Sequence, residues 1–301
     1  MIRPMIDLHT HTSASDGTFS LGELASEAAR VGLRAVAVTD HDTVACAKRI
    51  SAKMLAAKGP LRIIPGIELS VFDHGLGYLD IHILGLFIDP NDKPLSSRLR
   101  SLAKEREDQK KATVRKLKEL GYSISFKEVK AKAAGSVGRP HIAKELMEKY
   151  PLVFPTIQSA FEKLLGNGRP AYAEREAGFS LKEAVDLIHG AGGLAILAHP
   201  FMYGYDPRKL ARDFKSCGGD GIETYYDYVM NRPENRVDLK GNAELQAKAR
   251  SIASEFGLLE SGGSDFHGKN KSQSLGDYTV PDDILDKMEA ALGKRRETIG
   301  R

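Results

Sequence analysis

The chain has 301 residues, 44 Lys and Arg against 40 Asp and Glu for a net charge of +4, 42% hydrophobic and 28% charged residues; that suits one large α/β barrel or two smaller domains. With 29 Gly and 13 Pro it is neither collagenous nor low in complexity, and no apolar run reaches the roughly 18–20 residues of a bilayer span. Met1-Ile2-Arg3-Pro4 lacks a signal peptide's apolar stretch, and Cys46 and Cys217 suit neither a disulfide framework nor a thiolate zinc site, so a cytoplasmic protein is expected, off the membrane.

Short, β-branched apolar runs bounded by Gly or Pro predict strands at Met5–His9, Ala35–His41, Ile63–Glu68, Leu79–Leu84, Gly193–His199, Gly221–Glu223 and Leu258–Ser261. Between them lie helical patterns. Ser20 and Glu23 form a capping box ahead of Leu24, Ala25 and Ala28, and residues 43–57, 180–190, 207–216, 242–256 and 282–292 read alike. Such alternation, repeated about seven times, predicts a parallel α/β sheet or barrel. It breaks between about 95 and 178, where segment 98–119 is a charged helical pattern with shorter ones near 126–134, 140–149 and 156–166. The expected organisation is a barrel from 1–95 and 179–301, with 96–178 inserted as a small helical domain.

Five of the seven predicted strands finish in a histidine or an acid, where a barrel keeps its chemistry. His9 and His11, two residues apart on an extended strand, point the same way, and Asp16 follows in a small-residue loop. Then come Asp40-His41-Asp42, Glu68, His82, His199 and the pair Asp265 and His267. Converging on one mouth, His9, His11, Asp16, His41, Glu68, His82, His199, Asp265 and His267 exceed what one ion can use. Imidazole and carboxylate without thiolate suit Zn²⁺, Mn²⁺ or Fe²⁺, so two or three divalent ions are expected, with Glu68 bridging. Asp7 and Glu223 read as hydrogen-bonding supports, Asp42 as a helix N-cap, and His74, His141 and His189 as solvated or capping residues.

Asp7-Leu8-His9-Thr10-His11, Ser15-Asp16-Gly17, Thr39-Asp40-His41-Asp42, Pro65-Gly66-Ile67-Glu68, Ala198-His199-Pro200 and Ser264-Asp265-Phe266-His267 together resemble the polymerase and histidinol phosphatase (PHP) family. The segment holding Gly138-Arg139-Pro140 and Gly168-Arg169-Pro170 resembles the branch with nucleoside 3′,5′-bisphosphate phosphatases and 5′-to-3′ exonucleases. The resemblance implies a distorted (β/α)7, TIM-like barrel with up to three metals. One would take His9, His11, Glu68 and Asp265, a second Glu68, His82 and His199, a third Asp16, His41 and His267. Asp16 stands where some relatives have a histidine.

The chemistry expected is metal-dependent phosphoester hydrolysis by an activated water, as no Ser–His or Cys–His nucleophile is evident. His199 and Asp265 are the candidate catalytic groups, and the leaving-group acid stays open between His199 and a water. Guanidinium reads phosphate bidentately, so Arg139 and Arg169 are candidates for gripping a second phosphate, although Arg-Pro also starts helices. Segment 98–119 carries nine basic residues against four acids, suiting either oligonucleotide steering or an ordinary solvated helix. Tyr172, Tyr225, Tyr226 and Tyr228 could stack on a base or pack at the rim. The leading expectation is removal of the 3′-phosphate from nucleoside 3′,5′-bisphosphates, with 5′-to-3′ exonuclease action on short oligonucleotides and no obligate protein partner. The alternatives are a histidinol-phosphate-type phosphatase, a non-catalytic nucleic-acid-binding regulator and a metal-dependent amidohydrolase, against which the lack of a strand-end lysine counts.

Overall fold

The computed structural model describes residues 5–50, 61–132, 137–166, 168–173, 178–231, 237–270, 274–276, 278 and 280–299. The chain packs as two compact units, residues 1–97 with 179–301, and residues 98–178.

The first unit is built on strands β1 (Met5–Asp7), β2 (Leu33–Val38), β3 (Arg62–Asp73), β4 (Tyr78–Leu86), β5 (Leu194–Leu197), β6 (Gly221–Tyr225), β7 (Leu259–Gly262) and β8 (Val280–Pro281). They form one sheet in the order β7-β6-β5-β4-β3-β2-β1-β8. Beyond the last strands the backbone keeps pairing: Leu8 N donates to Gly262 O at 3.1 Å, Asp265 N to His9 O at 2.9 Å and His11 N to Phe266 O at 2.8 Å. These bonds bring the ends of β7 and β1 together and nearly close the sheet into a barrel. Gly263 is what permits the approach, because a Cβ there would lie 2.5 Å from His9 N and Cβ.

In chain order the helices are α1 (Leu21–Arg30), α2 (Lys93–Glu119), α3 (Phe126–Ala131), α4 (Arg139–Lys149), α5 (Ile157–Ala160), α6 (Leu181–Gly190), α7 (Pro207–Ser216), α8 (Tyr228–Asn231), α9 (Leu239–Phe256) and α10 (Asp283–Ile299). The capping box of Ser20 and Glu23 starts α1, whose Leu24, Ala25 and Ala28 pack on Val36 and Val38 of β2. Ala35 and Ala37, on the other face of β2, join Ile64, Leu84, Leu86, Leu194 and Ile196 in a second core with Ile284, Leu285 and Met288 of α10. The same two-residue period sets Glu68 on the face of Ile64, and His82 on the face of Leu84. Thus one apolar layer supports one polar layer.

The expectation of an all-parallel sheet fails at β4, which pairs antiparallel with both β3 and β5. Only residues 74–77 separate β3 from β4, too few for a parallel crossover. Asp73 Oδ1 accepts from Leu76 N at 3.0 Å and Gly77 takes φ 76°, which closes a hairpin. Hence Glu68 sits inside a long strand rather than at its end, and His82 lies within β4, as the predicted strand has it. Of the helix expected over 43–57, the described part holds one 3₁₀ turn, Ala47–Arg49, and residues 51–57 lie outside the described residues.

The second unit has its own core, in which Val114 and Leu117 of α2 meet Ile142 and Leu146 of α4 together with Phe154, Leu164 and Leu165. Much of its basic helix is paired locally: Lys111 with Glu107 and Asp108, and Arg98 with Glu105. The Lys111 pairs, three and four residues apart, suit a solvated helix face.

His189 proves more than a solvated residue. Its Nε2 lies 2.8 Å from Asp220 Oδ2, which also takes Ala195 N at 2.8 Å and the Arg295 guanidinium. Burial opposes ionisation of Asp220, but these donors outweigh it and hold the carboxyl below its usual range. A depressed folded pKa adds stability at pH values above the unfolded one and loses it as pH falls through the folded one. Asp220→Asn should therefore cost about 2–4 kcal/mol at pH 7, read by urea titration, and the gap to wild type should narrow below about pH 4.

Candidate metal centre

Continued pairing past β2 carries His41 alongside Glu68: Glu68 N donates to Asp40 O at 3.2 Å and Asp42 N to Glu68 O at 2.8 Å. Asp42 is not a helix N-cap. It has φ 50° and its carboxylate takes Ser70 N at 2.9 Å and Ser70 Oγ at 2.8 Å, pinning the loop to β3. Asp40 organises the loop after His11, accepting from Thr12 N at 2.8 Å and Ser15 Oγ at 2.7 Å. Gly17 closes that loop, since a Cβ would strike His11 O at 2.5 Å, and so fixes Asp16 next to His11.

All nine candidate ligands meet in one basin. Glu68, fully buried, is the hub: His82 Nδ1 lies 2.9 Å, His41 Nδ1 3.0 Å, His11 Nε2 3.1 Å, His199 Nε2 3.2 Å and His9 Nε2 3.4 Å from its oxygens. Asp265 Oδ1 stands 3.3 Å from His11 Nε2, 3.4 Å from His267 Nδ1 and 3.6 Å from His9 Nε2. On the solvent side Asp16, 54% exposed, reaches His267 at 3.3 Å, His11 at 3.7 Å and His41 at 3.8 Å. His9, His11, Asp265 and His267 lie past the ends of β1 and β7, so their convergence comes from the loops rather than from strand alternation. His199 at φ 26° and Asp265 at φ 56° hold a backbone that side chains disfavour, as functional sites often require.

Supports surround the donors. Glu223, buried, bonds His9 Nδ1 at 3.1 Å and accepts from His199 N at 2.7 Å, which leaves His9 Nε2 facing inward. Asp7 takes His9 N, Ser264 N and Ser264 Oγ. Tyr226 Oη donates to Asp265 Oδ2 at 2.8 Å, turning Oδ1 into the basin. Tyr226 and Tyr228, candidates for base stacking or rim packing from the sequence, are both buried and closed to stacking. His141 caps its own helix, its Nδ1 accepting from Gly138 N at 3.0 Å.

Electrostatics show a negative centre asking for positive charge. Burial resists protonation of His11, but Asp265 and Glu68 overcome it and push the imidazole up to about 9; His82 likewise rises to about 10 beside Glu68 and Asp80. Burial and the neighbouring His11 and His82 outweigh Glu68 at His41, which falls to about 4. Glu68 itself is held well below the carboxylate range, since the imidazoles around it outweigh its burial. Yet His9 Nε2, both nitrogens of His11, Glu68 Oε2, His82 Nδ1 and His199 Nδ1 are buried without a hydrogen bond. Buried polar atoms seldom go unbonded, and His9 Nε2, His11 Nε2 and His82 Nδ1 among them lie 2.9–3.4 Å from Glu68. The sets His11, Asp16, His41 and His267; His9, Glu68 and His199; His9, His11 and Asp265; and His41, Glu68 and His82 each have donor atoms within 4.8 Å of one another. This thiolate-free donor set fits divalent transition ions.

In the helical unit, α4 begins at Gly138 with Pro140 in its first turn, so the first Gly-Arg-Pro does start a helix. The Arg139 guanidinium lies 5.5 Å from the Tyr172 ring and 5.9 Å from Phe161, with Nη1 3.4 Å from Leu165 O. The second motif is a turn, Gly168 at φ 70°, in which Arg169 O accepts from Tyr172 N at 2.9 Å and the Arg169 side chain is exposed. That turn delivers the ring over which Arg139 lies, so both motifs share one neighbourhood of the unit. Two clefts of about 420 and 510 Å³ flank α6 and share no residue with the histidine basin.

Residues 7–189 match the PHP domain family model. The chain is 34% identical to a 5′-3′ exoribonuclease of Haemophilus influenzae, over 87% of this chain and 89% of that protein. It is 31% identical to a 3′,5′-nucleoside bisphosphate phosphatase of Chromobacterium violaceum, over 87% of each. Among solved structures, a provisionally named metal-dependent phosphoesterase of Bifidobacterium adolescentis superposes with a TM-score of 0.72 at 28% identity, over 95% of both chains. No helix among the described residues is long and apolar enough to cross a membrane.

Proposed function

The chain belongs to the PHP domain family and is a metal-dependent phosphoester hydrolase, and from that premise we propose that it removes the 3′-phosphate of nucleoside 3′,5′-bisphosphates, releasing the 5′-monophosphate, and trims short oligonucleotides from the 5′ end. The observation that carries the hydrolytic part is Glu68, in reach of five imidazoles at 2.9–3.4 Å, at the centre of a basin that also holds Asp16, Asp265 and His267. His9, His11, Glu68 and Asp265 would hold one ion, Glu68, His82 and His199 another, and Asp16, His41 and His267 a third. Bound there, Mn, Fe or Zn ions would supply an activated water and charge stabilisation at the phosphoryl oxygens.

The residues of the chain supply the rest. Asp265, whose Oδ2 is held by Tyr226, would accept a proton from the attacking water, and His199 or a water would return one to the leaving oxygen. Glu223 keeps His9 and His199 in register. Arg139 and Arg169 bind the phosphate that is not hydrolysed, a reading supported by their shared neighbourhood and by the nucleotide substrates in the names of the two relatives.

The test compares kcat/KM for adenosine 3′,5′-bisphosphate and for histidinol phosphate with metal-loaded protein, and identifies the products by chromatography. A preference of at least about 100-fold for the bisphosphate, with adenosine 5′-monophosphate released, is expected. Equal or reversed rates overturn this reading.

A further inference from the structure

Two tyrosines in the loop after β5 bond the backbone of β4, and they do so differently. Tyr205 Oη accepts from Leu79 N at 2.8 Å and donates back to Leu79 O at 3.4 Å, completing both its roles on one residue. Tyr203 Oη accepts from His82 N at 2.8 Å. The carbonyl of His82 takes Ala198 N at 3.1 Å, but the chain leaves the ladder at His199, and Tyr203 satisfies the N–H left over. The O–H of Tyr203 has no acceptor among the described residues. Its ring lies 5.4 Å from that of His199 and 6.3 Å from that of His82, two residues that line the basin, and it is half-buried.

We propose that Tyr203 donates its hydroxyl proton in a hydrogen bond to an oxygen of the phosphate undergoing hydrolysis, which makes it a substrate-contacting residue of the site. The proposal rests on the phosphoester-hydrolase reading above. The backbone N–H of His82 occupies the phenol oxygen as acceptor, and the O–H, with no acceptor among the described residues, is left for a ligand. A donor fixed in this way needs no reorganisation when charge gathers on the phosphoryl oxygens.

The experiment uses the metal-loaded full chain as wild type, Tyr203→Phe and Tyr205→Phe, and reads metal content, inhibition by inorganic phosphate, and kcat and KM for adenosine 3′,5′-bisphosphate. Tyr203→Phe should keep its metal, weaken phosphate inhibition about 10-fold and lower kcat/KM by about 10- to 100-fold, while Tyr205→Phe matches wild type. Unchanged phosphate inhibition overturns the proposal, and so does metal loss in proportion to activity, the mark of a merely structural tyrosine. Because phenylalanine also abandons the His82 N–H, 3-fluorotyrosine at position 203 is the second variant. It keeps the acceptor while strengthening the donor, and phosphate should bind it more tightly; unaltered binding there overturns the proposal even if Tyr203→Phe fails to fold. Wild-type protein that neither binds nor releases phosphate would instead overturn the hydrolase reading, and this one with it.

Discussion

Glu68→Ala should lower phosphate release by at least about 1,000-fold and reduce the metal held per chain, the largest effect expected of any single change. The other carboxylates each serve part of the basin, whereas Glu68 has oxygens within 3.4 Å of five imidazoles. Removing it takes away the anion that His9, His11, His41, His82 and His199 share, and Asp265, beside His9 and His11, and Asp16, beside His41, make up only part of that charge. Glu68→Gln should be nearly as inactive, because an amide keeps the volume but offers one neutral acceptor instead of two charged ones. Elemental analysis alongside the assay separates loss of ions from loss of chemistry. Wild-type turnover in Glu68→Gln would remove the bridge from the account.

The second large effect concerns substrate choice. Arg139→Ala and Arg169→Ala together should reduce kcat/KM for a nucleoside 3′,5′-bisphosphate by about 100-fold or more, with a much smaller change for a nucleoside 3′-monophosphate. A guanidinium meets phosphate through two parallel donors, so Arg139→Lys should recover charge without that geometry and restore only part of the rate. Arg139 also leans on Phe161 and Tyr172, so its loss carries a packing cost that thermal denaturation measures separately. Equal losses on the two substrates would show that the arginines do not read the second phosphate.

Much of the site was legible because ligand chemistry leaves residue types that packing does not ask for. Six histidines beside acids in otherwise apolar contexts have no role in a hydrophobic core, and they gave away His9, His11, His41, His82, His199 and His267 before any fold was known. Glu223 and Asp7 were readable as supports for the same reason. The rest depended on three-dimensional closure. The hairpin that reverses β4 hides in Asp73-His74-Gly75-Leu76-Gly77, whose turn chemistry lost out to the expectation of another parallel strand. Asp42 resembles an N-cap until Ser70 is brought beside it by β3. The partners of Tyr226 and Tyr203 carry no local signal, since Asp265 and His82 lie 39 and 121 residues away.

If distant segments build one cage for several cations, those cations can be counted in the purified protein. Purified wild-type protein, analysed by inductively coupled plasma mass spectrometry, should contain at least two divalent transition-metal ions per chain, and chelation should remove both the ions and phosphate release until metal is restored. A folded protein that holds no such ion, and hydrolyses phosphoesters equally well in the presence of chelator, would contradict such a cage.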